Sequence, residues 1–272
     1  MRIFRSIVIF VFVVTAVLYG YLYFYNRSRT DLTNPVISYA ADVLDVSVTD
    51  DEEALLKDVT AYDEKDGNLT ARVIIEQISN FVDKGVSNIT YAVVDNDNHV
   101  AKKKRLIRYT DYESPRFTFS KEMRFELRTY FNVLDNIKAI DKIDGDLTKK
   151  IKLTSSDLSA NQAGVYHMRA EVTNSKGDFR YLNFNVTIYE AVPNAPEIVL
   201  KKYLVYMNVG DPFIAEYYID KVIRNDTVLE GLNVRNESHV NTLKAGDYQV
   251  DYYVTDKNGI TAKASLIVVV EE

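Results

Sequence analysis

The sequence predicts an all-β protein, with three tandem immunoglobulin-like β-sandwiches that follow a single N-terminal transmembrane α-helix. Two observations predict it: one long uncharged segment near the start of the chain, and two turn motifs that recur along the rest. The 272 residues exceed one sandwich of about 100 residues and suit two or three sandwiches after an anchor. A hydrophobic content of 47%, with 20 Tyr, no Trp and 10 Gly, is typical of folded, half-buried strands.

The N-terminal segment predicts the helix. From Ser6 to Tyr25 the chain carries no charge and is rich in Ile, Val and Phe, which matches the roughly 20 residues needed to cross a bilayer. Aromatic residues gather at its end, as they do at a membrane–water interface, at Tyr19, Tyr21, Tyr23, Phe24 and Tyr25. A cleaved signal peptide with Arg2 and Arg5 in its basic leader is the alternative, but no small residues follow at cleavage spacing. We therefore expect a retained signal-anchor.

The predicted segments follow from this anchor. They are a cytoplasmic N-terminus at 1–5, a transmembrane signal-anchor helix at 6–25, a linker at 26–33, and Ig-like domains at 34–112, 113–190 and 191–272. Arginines flank both ends of the apolar stretch, so local charge does not set the orientation. The sandwiches themselves favour a single-pass protein of the cell membrane whose C-terminal domains are extracytoplasmic.

Composition excludes several classes of function. The chain has no Cys, which rules out disulfides, thiolate metal sites and a cysteine nucleophile. The four basic residues among the first thirty are all arginines and no acid lies there, so the rest of the chain is more acidic than the overall net charge of −6. An acidic surface argues against nucleic-acid binding and against general binding to anionic membranes.

An acidic turn motif occurs twice. The stretch AYDEKDGNLT from Ala61 to Thr70 recurs as AIDKIDGDLT from Ala139 to Thr148, at a spacing that suits one sandwich per repeat. In the third unit Asp220 to Thr227 takes the corresponding place, without a counterpart of the motif glycine.

A second motif occurs in all three units: a Gly, an alternating strand and a polar turn. Its ends are the pairs Gly85/Asp95, Gly164/Asn174 and Gly246/Asp256. Period-two alternation predicts a strand with one buried face. In the third unit Asn258-Gly259 then predicts a hairpin turn before a strand from Ala262 to Val270.

A tyrosine stands two residues after the motif glycine in two units, at Tyr166 and Tyr248. We expect its hydroxyl to bond back to the backbone, as a sandwich corner allows. The first unit has Ser87 there, so its corner is expected to be weaker.

Proline punctuates the boundaries at Pro35, Pro115 and the stretch Pro193–Pro196. The short linkers between units predict a semi-rigid rod of sandwiches joined end to end.

The combined pattern resembles the bacterial surface immunoglobulin-like domain that is repeated in many Gram-positive wall and membrane proteins. It reads Asp-x-x-Asp-Gly-(Asp/Asn)-Leu-Thr, then Gly-x-Tyr and an alternating strand that ends in Asp or Asn, and it covers the chain from about Asn34 onward. The resemblance is strong for the second unit, good for the first and partial for the third. It implies a stalk, spacer or adhesive module more readily than a catalyst. The lack of Cys agrees, since extracellular animal sandwiches commonly carry a disulfide.

The acidic motif is the candidate metal site. Its oxygen-bearing residues are Asp63, Asp66 and Asn68 in the first copy and Asp141, Asp144 and Asp146 in the second. Clustered oxygens suit Ca²⁺, but a full site needs six to eight of them and no bidentate Glu ends the loop. A tight turn closed by Asx bonding and by Gly explains the same residues, so we expect no cofactor. The stretch Asp95–Asn98 has the same two interpretations, a Ca²⁺ site or a turn between two strands, and we prefer the turn.

One basic cluster lies in the acidic part of the chain, at Lys102, Lys103, Lys104 and Arg105. It is a candidate patch for an anionic envelope polymer or a partner's acidic surface. Lysines on the last strand of a sandwich also block edge-to-edge pairing, and we prefer that interpretation.

The sequence predicts no enzyme. His99, His167 and His239 fall at unmatched places in the repeat, and no nucleophile elbow, phosphate loop or HExxH helix is present. We expect a membrane-anchored structural or interaction protein that serves cell-surface binding or adhesion, with a protein or an envelope polymer as partner. One alternative is an accessory subunit of a membrane complex for secretion, division or envelope polymer assembly. Another is carbohydrate binding on exposed tyrosines, for which the candidates are Tyr203, Tyr206, Tyr217 and Tyr218.

Overall fold

The computed structural model describes residues 2–29, 33–155 and 158–272. Part of the predicted linker at 26–33, namely residues 30–32, therefore lies outside the described residues, as does the first residue of the predicted N-terminal segment. The chain divides into two compact units, Met1–Thr110 and Asp111–Glu272.

The first unit begins with helix α1, Arg2–Arg29. It extends beyond both ends of the predicted 6–25 segment. Its span Ile3–Tyr25 is long and apolar enough to cross a membrane, and it buries none of its hydrophobic window against the described protein. The Thr15 hydroxyl lies 2.9 Å from the carbonyl oxygens of Val11 and Phe12, so this polar group is satisfied inside the helix. Among the described residues, no part of the protein buries the hydrophobic window of α1.

The first unit also contains a seven-stranded sandwich. Its strands are β1 (Val36–Ser38), β2 (Val43–Val46), β3 (Thr60–Asp63), β4 (Gly67–Asn68), β5 (Ile74–Asp83), β6 (Val86–Val94) and β7 (Val100–Tyr109). One sheet has the order β1-β3-β4 and the other β2-β7-β6-β5, with β2 parallel to β7 and the remaining pairs antiparallel. A short helix α2, Glu52–Leu55, follows β2, and the Asp51 carboxylate caps its N-terminus.

The core of this sandwich lies between its two sheets. Ile89 and Tyr91 of β6 and Ile107 of β7 are fully buried. The Tyr91 hydroxyl donates to the Leu55 carbonyl oxygen at 2.7 Å, so its polar end is paired inside the core.

The second unit contains two sandwiches, which we call sandwich 2 and sandwich 3. Sandwich 2 consists of β8 (Arg116–Phe119), β9 (Arg124–Glu126), β10 (Ile137–Asp141), β11 (Gly145–Asp146), β12 (Lys152–Ser155), β13 (Gly164–Thr173) and β14 (Phe179–Tyr189). Sandwich 3 consists of β15 (Glu197–Leu200), β16 (Leu204–Asn208), β17 (Ile219–Arg224), β18 (Thr227–Val228), β19 (Val234–Ser238), β20 (Gly246–Thr255) and β21 (Thr261–Glu271).

Both sandwiches repeat the strand order of the first unit. Their small sheets are β11-β10-β8 and β15-β17-β18, and their large sheets are β12-β13-β14-β9 and β16-β21-β20-β19. The second strand again pairs in parallel with the last, as β9 with β14 and β16 with β21. The predicted fold class of tandem immunoglobulin-like sandwiches is confirmed.

The predicted tyrosine corners are present. The Tyr166 hydroxyl donates to the Gln162 carbonyl oxygen and the Tyr248 hydroxyl to that of Lys244, each at 2.8 Å. In the first unit Ser87 is fully buried, and its hydroxyl has no hydrogen-bond partner among the described residues. The first sandwich therefore lacks this tie between strand and loop.

Sandwich 3 packs sideways against sandwich 2. The outward-facing residues Leu204, Ile267 and Val269 of its large sheet join the buried hydrophobic cluster of sandwich 2. They cover one side of sandwich 2, where β8 is an edge strand. On the same side β14 has no ladder partner among the described residues before Thr187. The end-to-end arrangement predicted for these two units is therefore wrong, because sandwich 3 has a second apolar face.

Side chains of sandwich 3 also cap the exposed backbone of sandwich 2. The Phe117 N–H on β8 donates to the Tyr206 hydroxyl, and the Asn183 N–H on β14 donates to the Asp247 carboxylate, each at 2.9 Å. Edge N–H groups are thus satisfied at the contact. We call this contact between the two sandwiches the junction.

Ion pairs and hydrogen bonds mark the two ends of the junction. At one end Glu271 pairs with Arg116, at 2.9 Å, and with Arg180. At the other end the Arg124 guanidinium donates to the Lys263 carbonyl oxygen at 2.5 Å. The junction thus extends along most of β21.

We predict that Tyr248→Phe lowers the free energy of unfolding of sandwich 3 by about 1 kcal/mol, because one hydrogen bond to the loop is lost while the ring stays. Ser87→Ala in the first sandwich is expected to change stability by less than about 0.5 kcal/mol or to raise it, since its hydroxyl makes no described bond. Hydrogen exchange, read separately for each sandwich, measures both changes. An equal loss in the two variants would contradict the corner assignment.

Candidate functional site

The first Asp of the acidic motif closes its turn. Asp63 is buried, and its Oδ1 accepts from the backbone N–H groups of Lys65 at 2.9 Å and Asp66 at 3.0 Å. Asp141 makes the same two bonds in the second copy, at 2.8 Å each. This is the Asx turn expected from the motif.

The second Asp ties this turn to a neighbouring hairpin. The Asp66 carboxylate accepts from the backbone and side-chain N–H groups of Asn96, at 2.7 and 2.8 Å. The Asp144 carboxylate accepts from the backbone N–H and the hydroxyl of Ser175, at 2.7 and 2.5 Å. Burial raises the pKa of Asp144, but the Ser175 bonds and the Lys150 ammonium outweigh it and hold that pKa below its usual value.

The third oxygen-bearing residue of the motif also accepts a hydrogen bond from a backbone N–H. Asn68 Oδ1 accepts from Thr70 N–H at 2.9 Å, and Asp146 Oδ1 accepts from Thr148 N–H at 2.8 Å. Within residues 2–29, 33–155 and 158–272, no group of three or more His, Asp or Glu side chains is arranged to hold a metal ion. The geometry therefore supports a structural turn, and the absence of a cofactor stays a prediction, with Ca²⁺ binding as its alternative.

Sandwich 3 builds the same corner from different residues. The turn between β17 and β18 is Asn225–Asp226, with φ values of 45° and 62°, a region that Asn and Asp tolerate better than most residues. Arg224, at the end of β17, forms an ion pair with Asp256. Asp256 in turn caps the last hairpin by accepting from Asn258 N–H and Ile260 N–H. An Arg–Asp pair thus replaces the acidic motif.

We predict that adding Ca²⁺ or EDTA leaves the unfolding temperature of the second unit unchanged. Asp141→Ala should lower its free energy of unfolding by about 1–3 kcal/mol, because two turn N–H groups lose their acceptor. Calorimetry in both buffers measures the effect. Asp135→Ala, at an exposed Asp of the same sandwich, is the matched control. A Ca²⁺-dependent rise that disappears in Asp141→Ala would establish a metal site instead.

The stretch Asp95–Asn98 is the hairpin turn between β6 and β7. Asp95 Oδ1 accepts from the N–H groups of Asp97 and His99, and Asp95 Oδ2 lies 2.7 Å from the His99 ring nitrogen Nδ1. Burial raises the pKa of Asp95, but the bonds from His99 and Asp97 outweigh it, so that pKa is lowered. The turn interpretation accounts for these residues.

The basic cluster does not form one exposed patch. Arg105 is buried, and its guanidinium donates to the Lys57 carbonyl oxygen at 3.2 Å. Lys103 lies on the same side of β7, with its ammonium 4.3 Å from the centre of the Tyr39 ring. Arg105 is therefore removed from the predicted binding set, because strand alternation turns it into the interior.

Lys102 and Lys104 are exposed on the opposite face of β7. Lys102 forms an ion pair with Glu76 of β5. The ladder between β7 and β2 begins only at Leu106, so this part of β7 has a ladder partner on one side only. Both placements agree with edge protection by lysine.

The four candidate tyrosines differ in exposure. Tyr203 and Tyr206 lie at the junction, where burial raises the pKa of Tyr206 to about 12. Tyr218 is partly buried and stacks on Phe213, with ring centres 5.6 Å apart. Tyr217 remains 66% exposed and is the one member of the four that presents most of its ring to solvent.

A groove of about 520 Å³ opens at one side of the junction. We call it the junction groove. Most of its polar lining comes from β13 and β14 of sandwich 2 and from β20 of sandwich 3, at His167, Arg169, Asn183, Asn185, Asp247 and Gln249. None of these residues is predicted as a site from the sequence, and His167 is named there without a role. The available signal was the uninterrupted apolar run from Leu266 to Val270, which is typical of a strand buried on both faces.

Glu122 lies at the junction, beside a second cavity of about 640 Å³. Burial raises the pKa of Glu122 to about 7, although Arg124, the Ser265 N–H and Lys263 act to lower it, while Asp251 raises it further. The folded protein therefore favours the protonated carboxyl. Stability from this preference is complete below the ordinary pKa near 4.5 and is lost as the pH rises through 7.

We predict that Glu122→Gln stabilises the second unit at pH 8 by up to about 3 kcal/mol and leaves it unchanged at pH 4, because Gln cannot ionise. Urea unfolding at several pH values measures the difference. Glu126→Gln, at an exposed Glu on the same segment, should show no such trend. Destabilisation of Glu122→Gln at pH 8 would mean instead that the charged carboxylate is held productively by Arg124 and Lys263.

Most of sandwich 3 matches a known family of domains. Residues 202–270 match the family model described as bacterial surface protein, Ig-like domain. The chain is 30% identical over 147 residues to the pesticidal crystal protein Cry22Aa of Bacillus thuringiensis. The aligned region is 54% of this chain and 20% of that protein. The chain is also 27% identical over 143 residues to an uncharacterized 81.3 kDa protein of Acholeplasma phage L2. That aligned region is 51% of this chain and 19% of the phage protein.

The chain thus spans about a fifth of the length of these relatives. Among solved structures, the structure of CBM51-2 in complex with GlcNAc and INT domains from Clostridium perfringens ZmpB aligns with 87% of this chain and 42% of its own, at 16% identity and a TM-score of 0.24. A similarity this low carries no conclusion about function.

Proposed function

We propose that the chain is a membrane-anchored extracytoplasmic interaction protein, in which α1 holds the immunoglobulin-like sandwiches at the cell surface. The role is binding or adhesion and not catalysis. Support comes from the match of residues 202–270 to a bacterial surface domain and from the character of α1.

The observation that carries the proposal is the exposure of α1. Phe10 and Phe12 are 70% and 71% exposed, and no described part of the protein covers the apolar window around them. Each Å² of apolar surface left in water costs roughly 25 cal/mol, so a helix of this composition is stable only in a bilayer or an equivalent environment. A signal peptide has the same composition, so the proposal requires that the helix be retained.

The paired sandwiches of the second unit support a recognition role. Their junction buries Leu204, Ile267 and Val269 and caps edge strands, so the surfaces on either side of it are held in one arrangement. A preorganised surface loses less entropy on binding than two mobile domains would.

We predict that the mature protein, extracted from membranes, keeps residues 1–25. Intact-mass measurement of the chain with a C-terminal tag decides this, and alkaline washing of the membranes should leave the protein in the pellet. Tagged protein should be digested by protease added outside intact spheroplasts. A mature chain that starts beyond Tyr25 would overturn the anchor.

Partner capture separates surface recognition from a subunit role. Crosslinking in native membranes would compare the full chain with a chain that starts at Leu32. Partners kept by the shorter chain support recognition by the sandwiches, whereas partners lost with α1 would indicate an accessory subunit of a membrane complex. No partner for either chain would favour a passive spacer and contradict the binding role.

A further inference from the structure

The floor of the junction groove is an ordered row of polar side chains. Asn183 and Asn185 alternate on one face of β14, and Arg169 and His167 stand directly opposite them on β13. Neighbours on one face of a strand lie about 7 Å apart. Asp247 and Gln249 of β20 add a wall to this floor.

Hydrogen bonds across the junction fix these side chains. Asn185 Nδ2 donates to Gln249 Oε1 at 2.8 Å, and Asn183 Nδ2 donates to Asp247 Oδ2 at 3.0 Å. The His167 ring nitrogen Nδ1 lies 2.6 Å from Asn185 Oδ1. A carboxamide offers two N–H donors and an oxygen with two lone pairs, so these bonds use only part of what each Asn can offer. The groove therefore presents donors and acceptors that are already oriented.

An aromatic ring continues the row. Tyr181 lies just beyond the groove lining, on the same face of β14 as Asn183, and is 50% exposed. The Arg169 guanidinium lies 4.0 Å from the centre of its ring, which limits the motion of both groups. The row from Tyr181 through Asn183 to Asn185 is about 13 Å long.

Charge and topology restrict the ligand class. The positive Arg169 is balanced by Glu171, whose carboxylate is 2.8 Å away, and Asp247 bonds to Asn183, so the groove lacks the net positive charge that a phosphate requires. An added peptide strand needs a free edge, but the Asn183 N–H is already taken by Asp247. A ligand with many hydroxyl groups and no charge satisfies both limits.

We propose that the junction groove binds a neutral oligosaccharide. One sugar ring packs against Tyr181, and the hydroxyl groups of the following sugars bond to Asn183, Asn185 and the wall residues. This gives the proposed surface role a ligand class and rests on it.

The test uses the full chain in a detergent without a sugar headgroup. The probes are cellotriose and the trimer of N-acetylglucosamine, each titrated by calorimetry and by saturation-transfer NMR. We expect at least one to bind with a Kd below about 1 mM, which corresponds to about −4 kcal/mol. Tyr181→Ala should weaken binding at least tenfold, while Tyr181→Phe keeps it because the ring remains.

Tyr217→Ala is the matched control, since Tyr217 is also an exposed tyrosine of the second unit but belongs to the short helix Ala215–Tyr218 and not to the row on β14. Unchanged hydrogen exchange in Tyr181→Ala shows that the fold is intact. Binding that survives Tyr181→Ala, or that is lost in Tyr217→Ala, overturns the assignment to this groove. Failure of both sugars overturns the proposal even if the sandwiches capture a protein partner, and that capture would leave the surface role standing.

Discussion

The second unit depends on one contact, the burial of Leu204, Ile267 and Val269 against sandwich 2. Without it, the open side of sandwich 2 would present a hydrophobic cluster and two lines of unpaired backbone groups to water. Burying three such side chains contributes a few kcal/mol on the usual area scale, which is a large share of the stability of one domain. The groove, the Glu122 environment and the capped edges all follow from it.

The repeated corner solves a different problem. The turns between β3 and β4 and between β10 and β11 each contain backbone N–H groups that need an acceptor, and a carboxylate supplies it. In the first two sandwiches Asp63 and Asp141 do this beside a glycine with positive φ. In sandwich 3 the turn between β17 and β18 is tied through Arg224 to Asp256. Asp256 caps the last hairpin, as Asp95 and Asn174 cap the corresponding hairpins of the other two sandwiches.

Much of the fold could be predicted from the sequence. Helix α1, the tandem sandwiches and the bonds of Tyr166 and Tyr248 follow from local pattern alone, because apolar length, period-two alternation and a fixed offset from Gly each specify local structure. Four adjacent basic residues do not make one exposed patch here, because a strand turns alternate residues to opposite faces and Arg105 lies inside.

The groove is harder to predict, because its residues come from two sandwiches and are far apart in the sequence. Asn183 pairs with Asp247 through a contact that no local pattern specifies. The run from Leu266 to Val270 indicates that β21 is buried on both sides, but it does not say what covers the second side. Polar residues on an outward face look like ordinary solvated surface until the neighbouring domain is placed.

The ion pairs of Glu271 with Arg116 and Arg180 have a consequence for biogenesis. Because the chain is synthesised from its N-terminus, β8 and β14 are made before β21. One side of sandwich 2 therefore stays uncovered until sandwich 3 folds. A chain that lacks β21 would leave the β8 and β14 edges uncovered and open to pairing with other chains. Strand β21 therefore completes two sandwiches at once, its own and sandwich 2.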